Sequence, residues 1–285
     1  MVREVVNNLI VDLSGQYVDC TFGNGGHSIN ILKSIGSEGS LIALDKDIES
    51  VNIGKDFAAS DQRFKIIKSN FSNLSMLLEK DSIDGILVDL GISSSQLDDS
   101  NRGFSFRKNG PLDMRIDQEE GLTAKDWINE SSKQEIEEVL KHLGQERSYK
   151  KIADAISKSR KLRPISSTKD LVEIILSCKT RRSRKHPATN VFRAIRMRVN
   201  QELKELSKVL DDAGKVLKLG GRLVVISFHS IEDRIVKRFI QGKEGNHGES
   251  KFSLIGKKPL KPSFQEIKRN PRSRSAILRV AEKVV

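Results

Sequence analysis

No apolar run in this 285-residue chain approaches the length of a membrane span. Met1 to Leu13 interleaves Arg3, Glu4 and Asp12 with its apolar residues instead of following the order of a secretory leader. Neither a membrane-embedded nor an exported protein is expected. Cysteine is scarce: Cys20 and Cys178 stand far apart without metal-ligand spacing, which excludes a disulfide scaffold and fits a reducing, cytoplasmic setting. None of the five histidines pairs with a cysteine or an acid at ligand spacing, so no catalytic metal is expected. No internal repeat is present, and no glycine loop carries the Gly-Lys-Ser/Thr that grips a triphosphate.

Positive charge, by contrast, is abundant. The formal net charge is +12, and so basic a chain tends to hold polyanions. A generally basic proteome would give the same number, but here the charge is clustered, with five basic residues between Lys179 and Lys185, and clustering points to nucleic acid. The length is enough for one large domain, or for a core domain with a smaller companion.

The first hundred residues alternate strand-like and helix-like segments. Strands are expected at Tyr17–Phe22, Ser40–Asp45, Phe64–Lys68 and Ile83–Leu90, with helices at 27–35, 48–59 and 73–79. This rhythm indicates a parallel sheet with crossover helices. Gly91 to Gly110, rich in Ser, Asp, Asn and Gly, reads as a long functional loop. From Thr123 the pattern is helical, with helix starts at Thr123–Asp126, Ser132–Glu135 and Ser167, and one long helix expected over 188–217. The strand rhythm returns after a Gly220-Gly221-Arg222 turn, with strands at Leu223–Phe228 and Ala276–Val284 around a helix at 231–240. The expected architecture is an α/β domain, residues 1–105 and 205–285, interrupted by a helical insert, residues 106–204.

The strand–glycine loop–helix at Gly23-Asn24-Gly25-Gly26 is a nucleotide-binding arrangement, because glycine lets the backbone turn sharply and touch a ligand. Alone it reads equally as a tight turn. Asp45, about 20 residues on at the end of the second strand, adds an acid placed to accept two ribose hydroxyls. The third glycine comes too early for a nicotinamide cofactor. Asp19 is placed to reach the loop amides or a cationic end of the ligand. At the fourth strand, Asp89 leads into Ile92-Ser93-Ser94-Ser95-Gln96-Leu97-Asp98 at a sheet edge where ligands bind. Polar acceptors there suit methylation of a nucleobase amine. The amine's lone pair is delocalised into the ring, and acceptors that hold its hydrogens localise it. The other reading is a polar surface loop.

Several ordered motifs then resemble one family: Cys20-Thr21-Phe22-Gly23-Asn24-Gly25-Gly26-His27-Ser28, Leu44-Asp45-Lys46-Asp47, Val88-Asp89-Leu90-Gly91-Ile92-Ser93-Ser94-Ser95-Gln96, Arg102-Gly103-Phe104-Ser105-Phe106, Gly110-Pro111-Leu112-Asp113-Met114-Arg115, Lys185-His186-Pro187-Ala188-Thr189, Ser227-Phe228-His229-Ser230 and Asn270-Pro271-Arg272-Ser273-Arg274. From about Tyr17 to the C-terminus the chain resembles the ribosomal RNA small-subunit methyltransferase H family, also called the MraW family. The resemblance implies a class I, Rossmann-like S-adenosyl-L-methionine (SAM)-dependent methyltransferase sheet with an inserted all-helical domain. It also implies N4-methylation of one cytidine in the decoding region of 16S rRNA, on the small ribosomal subunit. Carried over by motif, the cofactor contacts are Gly25, Gly26, His27, Asp45, Phe71, Asp89 and Gln96, with Phe71 against the adenine. The family usually opens on a His-x-Pro-Val segment ahead of the first strand. This chain starts past it, at Val2-Arg3-Glu4-Val5-Val6, and that leaves one wall of the site unaccounted for. Asn24 stands where Arg or Ala is usual.

Asp89, Ser93 and Ser94 are the expected acceptors for the amine, with Asp113 a second candidate. Cys20, inside the first strand, reads as a small core residue and not as a nucleophile. His229 reads equally as a residue bordering the site and as a structural histidine. Arg181, Arg182, Arg184 and Lys185, with Lys179, Arg193, Arg196 and Arg198, are expected on RNA phosphates, and Arg272 and Arg274 at a second contact. Phe104 and Phe106 are each expected either to stack on the unstacked target base or to pack in the core. The rivals are a DNA amino-methyltransferase, a non-catalytic ribosome-assembly factor and a nicotinamide enzyme. The first lacks its Pro-Pro-aromatic turn, the second has no need of an intact glycine loop, and the third lacks its glycine spacing. A monomer and a homodimer are both compatible with the sequence.

Overall fold

The computed structural model describes residues 1–179, 186–243 and 251–285. In chain order its elements are α1 (Val2–Leu9), β1 (Gln16–Asp19), α2 (Gly26–Leu32), β2 (Ser40–Asp45), α3 (Ile48–Ala58), β3 (Phe64–Lys68), α4 (Leu74–Leu77) and β4 (Ile83–Asp89). Then come α5 (Ser94–Asp98), α6 (Ala124–Glu130), α7 (Lys133–His142), α8 (Tyr149–Leu162), α9 (Thr168–Cys178) and α10 (Thr189–Val199). The chain closes with α11 (Glu202–Val216), β5 (Leu217–Ser227), α12 (Ser230–Ile240), β6 (Phe252–Leu260), α13 (Phe264–Arg269) and β7 (Ile277–Lys283). They form two compact units, Met1–Gly91 with Leu203–Val285, and Ile92–Glu202.

The first unit holds a seven-stranded sheet, in the order β3-β2-β1-β4-β5-β7-β6 among the described residues. β1 to β5 run parallel, and β7 is antiparallel to both β5 and β6. This is the class I methyltransferase sheet expected from the sequence. Alternate residues of each central strand enter opposite cores, as a period of two requires. Val18, Ile86, Val88 and Val225 pack with Leu206, Val209, Leu210 and Ala213 of α11, while Tyr17, Leu87 and Val224 pack with Val5 and Leu9 of α1 and Ile31 of α2. Burial on both faces explains the near-continuous apolar run Ile86-Leu87-Val88. Strand order reverses between β1 and β4, which opens the crevice at their C-terminal ends where ligands bind in such sheets.

The second unit is helical, around Trp127, Ile136, Leu140, Ile152, Ile156, Leu171, Ile175 and Phe192. Its helix starts are those the sequence marks. Thr123 with Asp126 and Ser167 with Asp170 form capping boxes, and the Ser132 side chain accepts from the Glu135 N–H.

Four expectations are corrected. The insert begins at Ile92, not at residue 106, because Phe104 and Leu112 join the helical core and the fully buried Arg102 donates to the carbonyls of Arg115 and Ile116. The stretch 91–110 is not structureless: it carries α5 and a 3-10 turn, Ser100–Arg102. The single helix over 188–217 is two, broken where Gln201 takes φ 50° and the buried Asn200 side chain turns to the backbone of Met114 and Ile116. Gly220-Gly221 is a bulge inside β5, not a turn before it, since the register to β4 shifts there and Gly220 has φ 78°. The sequence reading also passed over α1, α13 and the edge strand β6, whose Gly256 and Pro259 break the alternation that announces a strand.

Candidate functional site

Three acids stand at the C-terminal ends of β1, β2 and β4, around the crevice: Asp19, Asp45 and Asp89. Asp19 is fully buried, and its carboxylate accepts from the Ser28 hydroxyl at 2.7 Å and from the Thr21 N–H at 3.1 Å. Burial pushes its pKa up against those two hydrogen bonds. It ties the glycine loop and α2 back to β1. Asp45 is the loop's second anchor. Its carboxylate accepts from the Gly23 N–H at 2.8 Å and the Asp47 N–H at 2.9 Å, and burial raises its pKa to about 6 despite them.

Between the anchors the backbone needs glycine. Gly23 and Gly25 have φ 55° and 77°, and the Gly25 N–H donates to the Phe22 carbonyl at 2.8 Å. A Cβ on Gly25 would lie 2.8 Å from the Phe22 ring, whereas one on Gly26 would meet nothing within 4 Å. The loop is therefore tight behind Gly25 and open in front of Gly26, as a backbone surface that meets a ligand should be.

His27, the next residue of α2, faces the β4 end. Its Nε2 lies 3.5 Å from Asp89 Oδ2, while the Asp89 N–H donates to the Thr21 hydroxyl at 2.8 Å. Burial works against a charged ring, but the Asp89 carboxylate outweighs it and the His27 pKa is raised. The other two atoms of the pair, His27 Nδ1 and Asp89 Oδ1, are buried without a hydrogen-bond partner among the described residues. Leaving such a group unsatisfied costs about 1–3 kcal/mol, a cost that a bound ligand removes.

A residue the sequence reading missed organises the neighbouring loops. Glu205, on α11, accepts from Lys46 Nζ at 2.9 and 3.1 Å and from the Asn70 side-chain amide at 2.5 Å. It thereby clamps the residue after Asp45 and the residue before Phe71, which is half-buried against the core of this unit. Nothing local announces Glu205, which lies 159 residues from Lys46. His229 caps α12, its Nδ1 accepting from the Glu232 N–H at 3.3 Å, while its Nε2, 3.1 Å from Glu232 Oε1, is buried without a hydrogen-bond partner among the described residues. Cys20 is buried and its thiol pKa is pushed well above the ordinary value by that burial, the state of a core residue.

In the helical unit, Ser93 is the N-cap of α5 and forms a capping box with Gln96, whose Oε1 accepts from the Ser93 N–H at 2.9 Å. Gln96 is buried and Ser94 exposed. Asp113 is held by Arg115 through two bonds, at 2.8 and 3.0 Å, and by the Arg115 N–H at 3.0 Å. Burial opposes its charge, yet Arg115 overcomes this and lowers its pKa, which makes it a poor proton acceptor.

The cations expected on phosphates divide sharply. Arg181, Arg182, Arg184 and Lys185 lie outside the described residues. Lys179 is bound to Glu146 at 2.8 Å, Arg196 to Glu202 at 2.7 and 2.8 Å, and Arg198 to Glu135 at 3.1 Å, while Arg193 donates to the Gly144 carbonyl. These four are engaged inside their own unit. Arg272 and Arg274 are exposed. Phe104 is core, and Phe106 is stacked on His186 at 4.5 Å, so that face of its ring is already covered.

A family model described as the MraW methylase family matches residues 1–284. A Coxiella burnetii protein (strain Dugway 5J108-111) named ribosomal RNA small subunit methyltransferase H is 44% identical, over 99% of this chain and 96% of its own length. A protein of the same name from Legionella pneumophila (strain Paris) is 44% identical, over 100% and 97%. Another from Nitrosomonas eutropha is 43% identical, over 100% and 96%.

Proposed function

The chain belongs to the MraW methylase family, and on that premise we propose that it transfers a methyl group from SAM to N4 of one cytidine in the decoding region of 16S rRNA. The observation that carries this reading is the orphaned pair His27 Nδ1 and Asp89 Oδ1, together with the open ground in front of Gly26. Polar atoms and bare backbone placed so are what a nucleoside cofactor with a charged tail requires.

In this reading Gly25, Gly26, His27, Asp45, Phe71 and Gln96 hold the cofactor, and Asp89 serves both it and the amine. Asp45 accepts from the ribose hydroxyls, and Phe71 packs on the adenine. Bound SAM supplies an electrophilic methyl on its sulfonium. His27 keeps Asp89 Oδ2 engaged, which leaves Oδ1 to accept a hydrogen bond from the cytosine amine. That bond localises the nitrogen lone pair, and the same oxygen takes the proton that N4 sheds once methylated. Ser93 and Ser94, four and five residues along the chain, are further acceptors. The methylated amine is acidic enough that no strong base is needed, and Asp113, already neutralised by Arg115, is left out of the chemistry. Most of the rate then comes from positioning, which supplies roughly 7–11 kcal/mol. The helical unit serves substrate recognition, with Arg181, Arg182, Arg184 and Lys185 on phosphates.

The decisive measurement is nucleoside mass spectrometry of 16S rRNA from cells with and without the gene. N4-methylcytidine is expected to disappear with the gene, to return with the wild-type copy, and not to return with Asp89→Asn. An unchanged level in its absence refutes the reading.

A further inference from the structure

Residues 257–274 hold seven basic residues and one acid, Glu266. That acid is itself paired with the amino group of Met1. Lys257, Lys258, Lys261, Lys268, Arg269 and Arg274 are all exposed, and none of their side chains forms a hydrogen bond or ion pair with a described residue. The contrast with Lys179, Arg196 and Arg198 is direct, since those are neutralised by acids of their own unit. Among the described residues Phe264 is the one aromatic side chain with large exposure, at 82%. It lies one helical turn before Lys268 on α13 and three residues after Lys261.

The segment is built to hold its shape. Lys257 and Lys258 project where β6 bulges out of register with β7, at Gly256 with φ 83°. The Asn270 N–H donates to the Glu266 carbonyl, Asn270 Oδ1 accepts from the Arg272 N–H, and the Asn270 carbonyl accepts from Ser273, stitching α13 to the 3-10 turn Pro271–Ser275. Lysines on an edge strand often do no more than block strand pairing. That accounts for Lys257 and Lys258, but not for Arg269 and Arg274 on a helix and a turn, nor for a phenylalanine presented to solvent among them.

We propose that this face, β6 through the 3-10 turn, is a docking surface for an unpaired stretch of ribosomal RNA. Its cations lie along the phosphates and Phe264 stacks on one unstacked base. Cations tracking a backbone around an exposed ring are how single strands are held without sequence readout. The proposal rests on the ribosomal RNA reading above and extends to β6 and α13 the second contact expected at Arg272 and Arg274.

The test uses the full chain and small subunits lacking the modification. Phe264→Ala is expected to weaken binding at least about fivefold, as loss of one base stack does. Lys257→Ala/Lys258→Ala/Lys261→Ala is expected to lower the slope of log affinity against log salt by about 2, at about 0.7 per phosphate contact. Both should keep wild-type SAM affinity by calorimetry and raise KM for subunits with kcat retained. Wild-type affinity and salt slope in both variants overturns the proposal. So does binding of this face to phosphatidylglycerol vesicles with no change in RNA affinity. A wild-type protein that neither binds nor methylates the subunit refutes the function itself, an outcome distinct from either.

Discussion

Gly25 and Gly26 are neighbours with the same side chain, yet the structure gives them opposite sensitivities. Gly25 has φ 77°, and a Cβ there would sit 2.8 Å from Phe22 Cζ. Phe22 is itself buried and packed on Phe64, with centroids 5.7 Å apart, so it has little room to yield. A left-handed alanine costs about 1–2 kcal/mol, and overpacking a filled site adds about 1–3. Gly25→Ala is therefore expected to destabilise the free protein by about 2–5 kcal/mol. Gly26 begins α2, and its Cβ would meet nothing. Alanine there is neutral to about 1 kcal/mol stabilising in the free protein. If that open ground is where the cofactor meets the backbone, the same methyl overpacks the complex alone, and about 1–3 kcal/mol becomes a roughly 5- to 150-fold weaker Kd for SAM. Urea unfolding reads the first effect and calorimetry the second. Wild-type SAM affinity in Gly26→Ala would refute the cradle, and wild-type stability in Gly25→Ala would refute the account of the turn.

Three further outcomes are expected. Asp45, with its pKa raised to about 6 in the folded protein, holds its proton more tightly than in the unfolded chain, so its contribution to the stability of the free protein declines as pH rises from about 4 to 6. In the proposed reading the ribose hydroxyls donate to its carboxylate, and SAM affinity should then fall as pH drops below about 6; a flat profile from pH 5 to 7, or an unaltered one in Asp45→Asn, contradicts this. The His27 pKa is raised above 6.5 by Asp89, so the pair's contribution is complete below that value and is lost as pH rises through the raised one. An NMR titration of the ring should move down in Asp89→Asn, and an unmoved titration removes the pair. Asp113→Ala leaves Arg115 without its partner and should cost about 1.5–3 kcal/mol of stability with SAM affinity unchanged; intact stability with lost methylation would return Asp113 to the chemistry.

What the sequence determined by itself is local in physical origin. Helix starts at Thr123 and Ser167 are legible because a capping box closes within three residues. β2 and β3 are legible to the residue, because buried parallel strands read as short apolar runs between turn signals. The glycine loop is legible because its φ values exclude side chains whatever surrounds it. The Asp113–Arg115 pair is local too, two residues apart, but sequence does not say whether an acid faces a substrate or its own neighbour. Tertiary structure alone decided the rest. It brought Glu205 to Lys46 and Asn70, closed the crossing from 188 to 217 into two helices through Asn200, and moved the start of the helical unit to Ile92 through the burial of Arg102. It also sorted the cations: chemically alike in sequence, those on α10 are quenched by acids or carbonyls of their own unit, while six at the C-terminal end are left bare. A charge is counted from sequence, but its availability depends on which opposite charge the fold brings within about 4 Å, and that is set by packing between segments far apart in the chain.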